Sequence, residues 1–275
     1  MKLFPAVSLI CALAVASPVH AADDAGDLAK ASQNPVGSMI SLPLQNNTSF
    51  GIGPNDAISN VLNIQPVYPV GLGENWNLIN RGIVPMIYRE EVLPAFDIGS
   101  ATGLGDISYT GFISPAQPGK LIWGVGPSFL FPTATEERWA SDKWSAGAGV
   151  VLLGMPGHWV LGVLVQNVWS FAGDADADDV NQLLLQPIIN YNLKKGWYLT
   201  SVPVITANWE ADSDNRWTIP VGGGFGKIAS WGKQPIDLQM QAFYNVESPK
   251  PLIAQAPNLE SEGRSATGHS TVTVH

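Results

Sequence analysis

The sequence predicts an all-β fold, an antiparallel transmembrane β-barrel of about 12 strands. Three observations lead there. From about Ser38 to Val246 the chain breaks into segments of 10 to 15 residues punctuated by Gly, Asn, Asp and Pro, with no helical period. Inside these segments apolar and polar residues alternate, as side chains do on the two faces of a strand. Charged residues make up 13% of the chain, about half the share usual in a soluble domain. Beyond the first 21 residues no window of 18 or more apolar residues occurs, so strands would have to make any membrane crossing.

In chain order, Lys2 precedes an apolar run from Ala6 to Ala16 and then Val19-His20-Ala21, ahead of Ala22-Asp23-Asp24. This is the arrangement of a cleaved export signal over residues 1–21. The run falls short of the roughly 20 residues that a spanning helix needs. Cys11, the lone cysteine, lies within it, so a processed chain holds no disulfide, no thiolate metal site and no cysteine nucleophile. Without Lys2, 13 basic residues face 23 acidic ones, and a net charge of −10 excludes nucleic acid as a partner held through its phosphates. Residues 22–35 read as a short periplasmic segment or as a plug folded inward; the sequence leaves both open. Residues 36–248 form the expected barrel, and 249–275 an irregular tail of the kind a truncation or frameshift leaves.

Eleven strands are legible: Ser38–Gly51, Val61–Leu72, Trp76–Tyr88, Leu104–Pro115, Leu121–Pro132, Trp144–Pro156, Trp159–Ala172, Asn181–Leu193, Trp197–Trp209, Trp217–Ile228 and Ile236–Val246. A twelfth, closing strand is missing or degraded, with Thr267–His275 as a short candidate. Connections alternate in length. Tight turns at Gly73-Glu74-Asn75, Gln117–Lys120, Gly157-His158, Lys194-Lys195-Gly196 and Ser230–Gln234 face longer polar loops around Glu90–Gly103, Thr133–Lys143, Gly173–Val180 and Glu210–Arg216. Short turns on one rim and long loops on the other are the pattern of an outer-membrane barrel.

Tryptophans supply a length check. Trp159 and Trp169 share one strand face, as do Trp197 and Trp209, and the twelve residues of the second pair span roughly 28 Å when tilted near 45°, close to a bilayer core. Trp76, Trp159, Trp169, Trp197, Trp209 and Trp217 therefore form the expected aromatic girdle. Prolines at Pro66, Pro85, Pro127, Pro187, Pro203 and Pro220 each remove a ladder donor and predict bulges or bends.

Alternation places Asn63, Gln65, Asn77, Arg81, Asp106, Ser108, Gln182, Gln186, Asn190, Asn192, Asp237, Gln239 and Gln241 in the lumen. Arg81 is the strong cation of this set, and pairing with an internal acid such as Asp106 is expected in preference to a role in permeation, because enclosed charges are usually neutralised. Asp174, Asp176, Asp178 and Asp179 offer alternate carboxylates to Ca²⁺, but without the mid-loop Gly and terminal Glu of an EF-hand they read first as a solvated external loop, so no metal is expected. The Gly222–Gly226 run continues a strand and lacks a following Lys-Ser/Thr and helix; space beside a packed neighbour or a bulge explains it better than a phosphate cradle. His158, His269 and His275 have no serine and orienting acid at a catalytic spacing, so the chain is expected to be no enzyme and to need no cofactor.

Several phrases carry a family resemblance. They are Asn34-Pro35-Val36-Gly37, Ser41-Leu42-Pro43-Leu44-Gln45-Asn46-Asn47-Thr48, Gly51-Ile52-Gly53-Pro54-Asn55-Asp56, Asn60–Pro66, Pro115–Lys120, Lys143–Gly147 and Gly196–Ser201. From about Asn34 to Val246 the chain resembles the bacterial outer-membrane proteins grouped with the meta-pathway of phenol degradation, many of them mislabelled "neuromedin U". The resemblance implies a transporter barrel in Gram-negative outer-membrane lipid, passing small hydrophobic or aromatic compounds. Such proteins usually close with an amphipathic strand ending in an aromatic residue, which the barrel-assembly machinery recognises; Lys250–Arg264 and Ser270–His275 depart from that pattern. Two functions follow as expectations: a passive channel for small compounds, or a non-conducting structural or adhesive barrel whose interior is plugged by side chains.

Overall fold

The computed structural model describes residues 8–14, 25–52, 56–90, 100–231, 234–249 and 270–272. The expected cleavage region at Val19-His20-Ala21, the centre of the Glu90–Gly103 loop and most of the 249–275 tail lie outside the described residues.

One antiparallel sheet contains β1 (Ser8–Ala14), β2 (Ser41–Ile52), β3 (Ala57–Ile64), β4 (Val67–Leu72), β5 (Trp76–Arg89), β6 (Ala101–Leu104), β7 (Ile107–Pro115) and β8 (Leu121–Phe131). It continues through β9 (Lys143–Gly154), β10 (Trp159–Gly173), β11 (Asn181–Asn192), β12 (Trp197–Ser201), β13 (Ile205–Asn208), β14 (Trp217–Trp231), β15 (Gln234–Glu247) and β16 (Ser270–Val272). The one α-helix among the described residues, α1 (Ala25–Ser32), precedes β2.

From β2 to β15 each strand pairs with its sequence neighbour once three interrupted strands, β3 with β4, β6 with β7 and β12 with β13, are each taken as one. The expected eleven strands are the result. Proline accounts for two of the interruptions and for one register shift. Pro66 separates β3 from β4, Pro203 lies between β12 and β13, and the ladder of β14 with β15 slips between Ile219 and Pro220. Pro85, Pro127 and Pro187 sit within strands.

The twelfth place is not simply vacant. β1, the apolar run expected to be the heart of an export signal, pairs with β15 through Ser8↔Gln241 to Leu13↔Ile236 and with β2 through Ile10↔Gln45 to Ala14↔Ser41. β16 pairs with the other half of β2 at Thr48–Phe50. The physical reason is that two strand edges with unpaired N–H and C=O groups accept any extended segment of the chain able to reach them.

Alternation runs as the sequence indicates. On β9, Ser145, Val151 and Leu153 are buried and point inward, while Trp144, Val150 and Leu152 are exposed and point outward. On β11, Gln186, Ile188, Asn190 and Asn192 are inward and Ile189 outward; on β15, Gln239, Gln241, Phe243 and Asn245 oppose Leu238, Tyr244 and Val246. The outer surface thus carries leucine, valine and aromatic side chains around the sheet, an arrangement a water-facing surface avoids.

Candidate functional site

The inner surface has two unlike walls. Ile79, Phe112, Ile122, Val151, Leu153, Val160, Leu164 and Ile188, from β5 and β7 to β11, form a buried apolar cluster. Meeting it on β11, where Gln186 and Asn190 flank Ile188, and continuing over β15 and β2 to the break between β3 and β4, Gln45, Gln65, Gln186, Asn190, Asn192, Gln239 and Gln241 form a buried amide wall. Sequence alternation placed the amides of the second wall other than Gln45 on the inner face and missed the first wall, because on β8, β9 and β10 both faces are apolar and a period of two gives no contrast there.

α1 and the residues after it lie against both walls. Ala29, 1% exposed, packs with Tyr198 and Ile228. Ser32 Oγ donates to Asp237 Oδ2 at 3.1 Å, and Gln33 and Asn192 exchange amide hydrogen bonds at 3.0 and 3.3 Å. Asn34 Oδ1 accepts from the Val36 N–H at 3.1 Å, fixing a turn that delivers Val36 into the apolar cluster. Tyr198 Oη donates to Asp237 Oδ1 at 2.6 Å. Gly226 makes room for the Tyr198 ring: a Cβ there would overlap Tyr198 Cζ, so at this position the glycine serves close packing.

Beneath the segment Ala31–Pro43 lies a cavity of about 160 Å³. Of the thirteen lumen residues expected from sequence, Gln65, Arg81, Gln186, Asn190, Asp237 and Gln239 line it. Asn192 and Gln241 are buried nearby; Asn192 is taken up by Gln33, and Gln241 Oε1 accepts from the Val202 N–H at 3.0 Å. Asn63, Asn77 and Ser108 share the inward face without lining the cavity, opposite Gln45, Ser114 and Leu130 respectively. Gln182 lies at the loop end of β11 and is exposed. Val67, Leu164, Ile188, Tyr198 and Val202 complete the lining and were not anticipated as site residues; Tyr198 stands at an inward position of β12, a signal alternation could have used.

Arg81 does not pair with Asp106, contrary to expectation. Its Nη2 donates to Gln65 Oε1 at 2.8 Å, Gln65 Nε2 donates to Gln45 Oε1, and Gln45 Nε2 donates to Asn47 Oδ1 at 3.1 Å. Asp106 sits at the break between β6 and β7, where it accepts from the N–H groups of Thr133, Ala134 and Ser141 at 2.9 to 3.0 Å. A carboxylate beside a long loop is satisfied by that loop's backbone, a competing partner that alternation cannot reveal.

Of the six tryptophans expected to form a girdle, Trp76, Trp159, Trp197 and Trp217 begin strands, Trp169 lies within β10 and Trp209 follows β13. Near the tight turns Trp76 packs edge-on against Trp123 at 5.8 Å and Trp159 against Tyr191 at 4.8 Å, while Trp197 lies tilted against Phe225 at 6.2 Å. Near the loops, Trp209 packs on Trp217 at 5.5 Å and donates to Asn167 Oδ1 at 3.0 Å, and Trp169 is half exposed. In the acidic loop, Asp179 meets Lys143 Nζ at 3.4 Å and Ser170 Oγ at 3.1 Å, and Asp174 caps the N–H of Asp176 at 2.9 Å. Asp178 adds no further contact there, and among the described residues no group of three or more His, Asp or Glu stands close enough to hold a metal.

No family model and no curated protein matches the chain. Among solved structures, the crystal structure of the COG4313 outer membrane channel from Pseudomonas putida F1 superposes with a TM-score of 0.55 at 13% identity, covering 100% of this chain and 95% of that one. The chain therefore has the all-β fold of an outer-membrane β-barrel.

Proposed function

We propose that the protein is an outer-membrane channel for the passive uptake of small apolar or aromatic compounds, of the phenol-degradation meta-pathway type and without catalytic activity. The observation that carries this reading is the reversal of polarity across the sheet: large apolar side chains outside, and a cavity with one amide wall and one aliphatic wall inside. An outer surface of that kind is stable against acyl chains. A mixed inner surface offers a solute weak, successive contacts, which suit transit better than retention. The fold it shares with an outer-membrane channel supports the same reading. In this reading the six tryptophans are the interfacial girdle, the leader directs export, the barrel-assembly machinery inserts the chain, and α1 with Gln33–Val36 is a plug.

The plug favours the second reading, a closed structural barrel, because it adds hydrogen bonds and apolar contacts across the lumen. Planar-bilayer conductance and uptake of labelled phenols into vesicles separate the two. The channel reading expects a small conductance for the intact chain and a larger one when residues 25–37 are replaced by a short Gly/Ser linker. No current and no uptake from either form, in preparations shown to be folded, refutes it.

A further inference from the structure

We infer that the cavity beneath the N-terminal segment is a binding site for a small carboxylic acid that carries a hydroxyl on an apolar body. The inference rests on the channel reading and names a solute class for it.

Two side chains of the cavity's lining have hydrogen-bonding capacity to spare. Arg81 lines it and, among the described residues, forms no ion pair; its recorded partner is a neutral amide, Gln65. A guanidinium presents five N–H donors in a planar fork suited to a carboxylate, and one bond to an amide leaves most of that fork unused. Asn190 lines the same cavity, is 4% exposed, and its Oδ1 is buried without a hydrogen-bond donor among the described residues. An unsatisfied acceptor in that setting calls for an O–H or N–H. The same lining includes Leu164, Ile188 and Val202, members of the apolar cluster.

Size sets the body. A cavity of about 160 Å³ is close to the roughly 150 Å³ that accommodates a benzene ring. The one acid in the lining, Asp237, has each carboxylate oxygen already accepting a hydroxyl, from Tyr198 and from Ser32. It is therefore less available than Arg81 to set the preferred charge of a solute. A carboxylate on Arg81, a hydroxyl donating to Asn190 Oδ1 and a ring or short chain against the aliphatic wall meet all three features.

The test uses the full chain folded in detergent, with titration calorimetry against 4-hydroxybenzoate, benzoate and phenol. The hydroxy acid should bind most tightly. Arg81→Gln should weaken it about tenfold or more and abolish its advantage over phenol, with Arg81→Lys in between. Asn190→Val should abolish its advantage over benzoate alone. Folding of each variant is read from far-ultraviolet circular dichroism and heat-shifted gel mobility; should Arg81→Gln not fold, the Asn190→Val comparison decides. Equal binding of the three probes, no binding of any, or insensitivity to the substitutions overturns the site. Vesicle uptake by the same preparation keeps the two readings apart: uptake without binding removes the site and leaves the channel, and binding without uptake of any solute removes the channel.

Discussion

Val165 offers the sharpest test of which face meets lipid. It is an outward residue of β10, in register with Val150 of β9, which in turn is opposite Val125 of β8, so three outward valines lie side by side across neighbouring strands. With β10 running from Trp159 to Gly173, a rise of about 3.3 Å per residue and a tilt near 45° put Val165 roughly 14 Å from the turn rim and 19 Å from the loop rim. That is close to the bilayer midplane. Arginine at such a depth costs about 2–4 kcal/mol, whereas the same change on a water-facing surface stays within about 0.5 kcal/mol. Val165→Arg should therefore lower the folding free energy in phospholipid vesicles by about 2–4 kcal/mol, measured by guanidinium titration with gel mobility as the readout of folded protein. Ser213→Arg, in the loop before β14, serves as the comparison and should change little. A cost for Val165→Arg no greater than that of Ser213→Arg would refute the assignment of the outer face.

Other substitutions probe the interior. Tyr198→Phe removes the 2.6 Å hydrogen bond to Asp237 and should cost about 1–3 kcal/mol in the same titration. Gly226→Val places side-chain carbon where the Tyr198 ring lies and should cost at least about 1–3 kcal/mol or prevent folding, and pairing it with Tyr198→Ala should recover part of the loss. Asp106→Ala frees three loop N–H groups, so trypsin should cleave after Arg138 several-fold faster than in the parent, with far-ultraviolet circular dichroism unchanged.

The strands were legible because apolar and polar residues contrast on β11 and β15, where Leu238, Tyr244 and Val246 alternate with Gln239, Gln241 and Asn245. Where contrast fades, so did legibility: Ile122, Val151, Leu153 and Leu164 look inward from strands whose outer residues are also apolar. Six lumen residues were found at the cavity, yet the partners of Arg81 and Asp106 were misjudged. Parity says which face a side chain takes and nothing about which amide or backbone N–H will reach it first. Residues 22–35 were left open between periplasm and lumen for a related reason: a short polar segment has no period that distinguishes solvent from a polar lumen, and the burial of Ala29 against Tyr198 follows from tertiary packing alone.

The pairing of Ser8–Ala14 with both β15 and β2 would tie maturation to assembly if residues 1–21 are a cleaved export signal, as proposed above. A precursor that kept this segment would carry its own stave for the last gap; were a peptidase to remove it, the backbone groups of Ser41–Gln45 and Ile236–Gln241 would have to be answered by something else, and Ser270–Val272 already holds the adjoining stretch at Thr48–Phe50. Proteolysis of a targeting sequence would then do more than release cargo from the export route. It would set the moment at which the molecule must recruit its other terminus, or a neighbour, to become watertight.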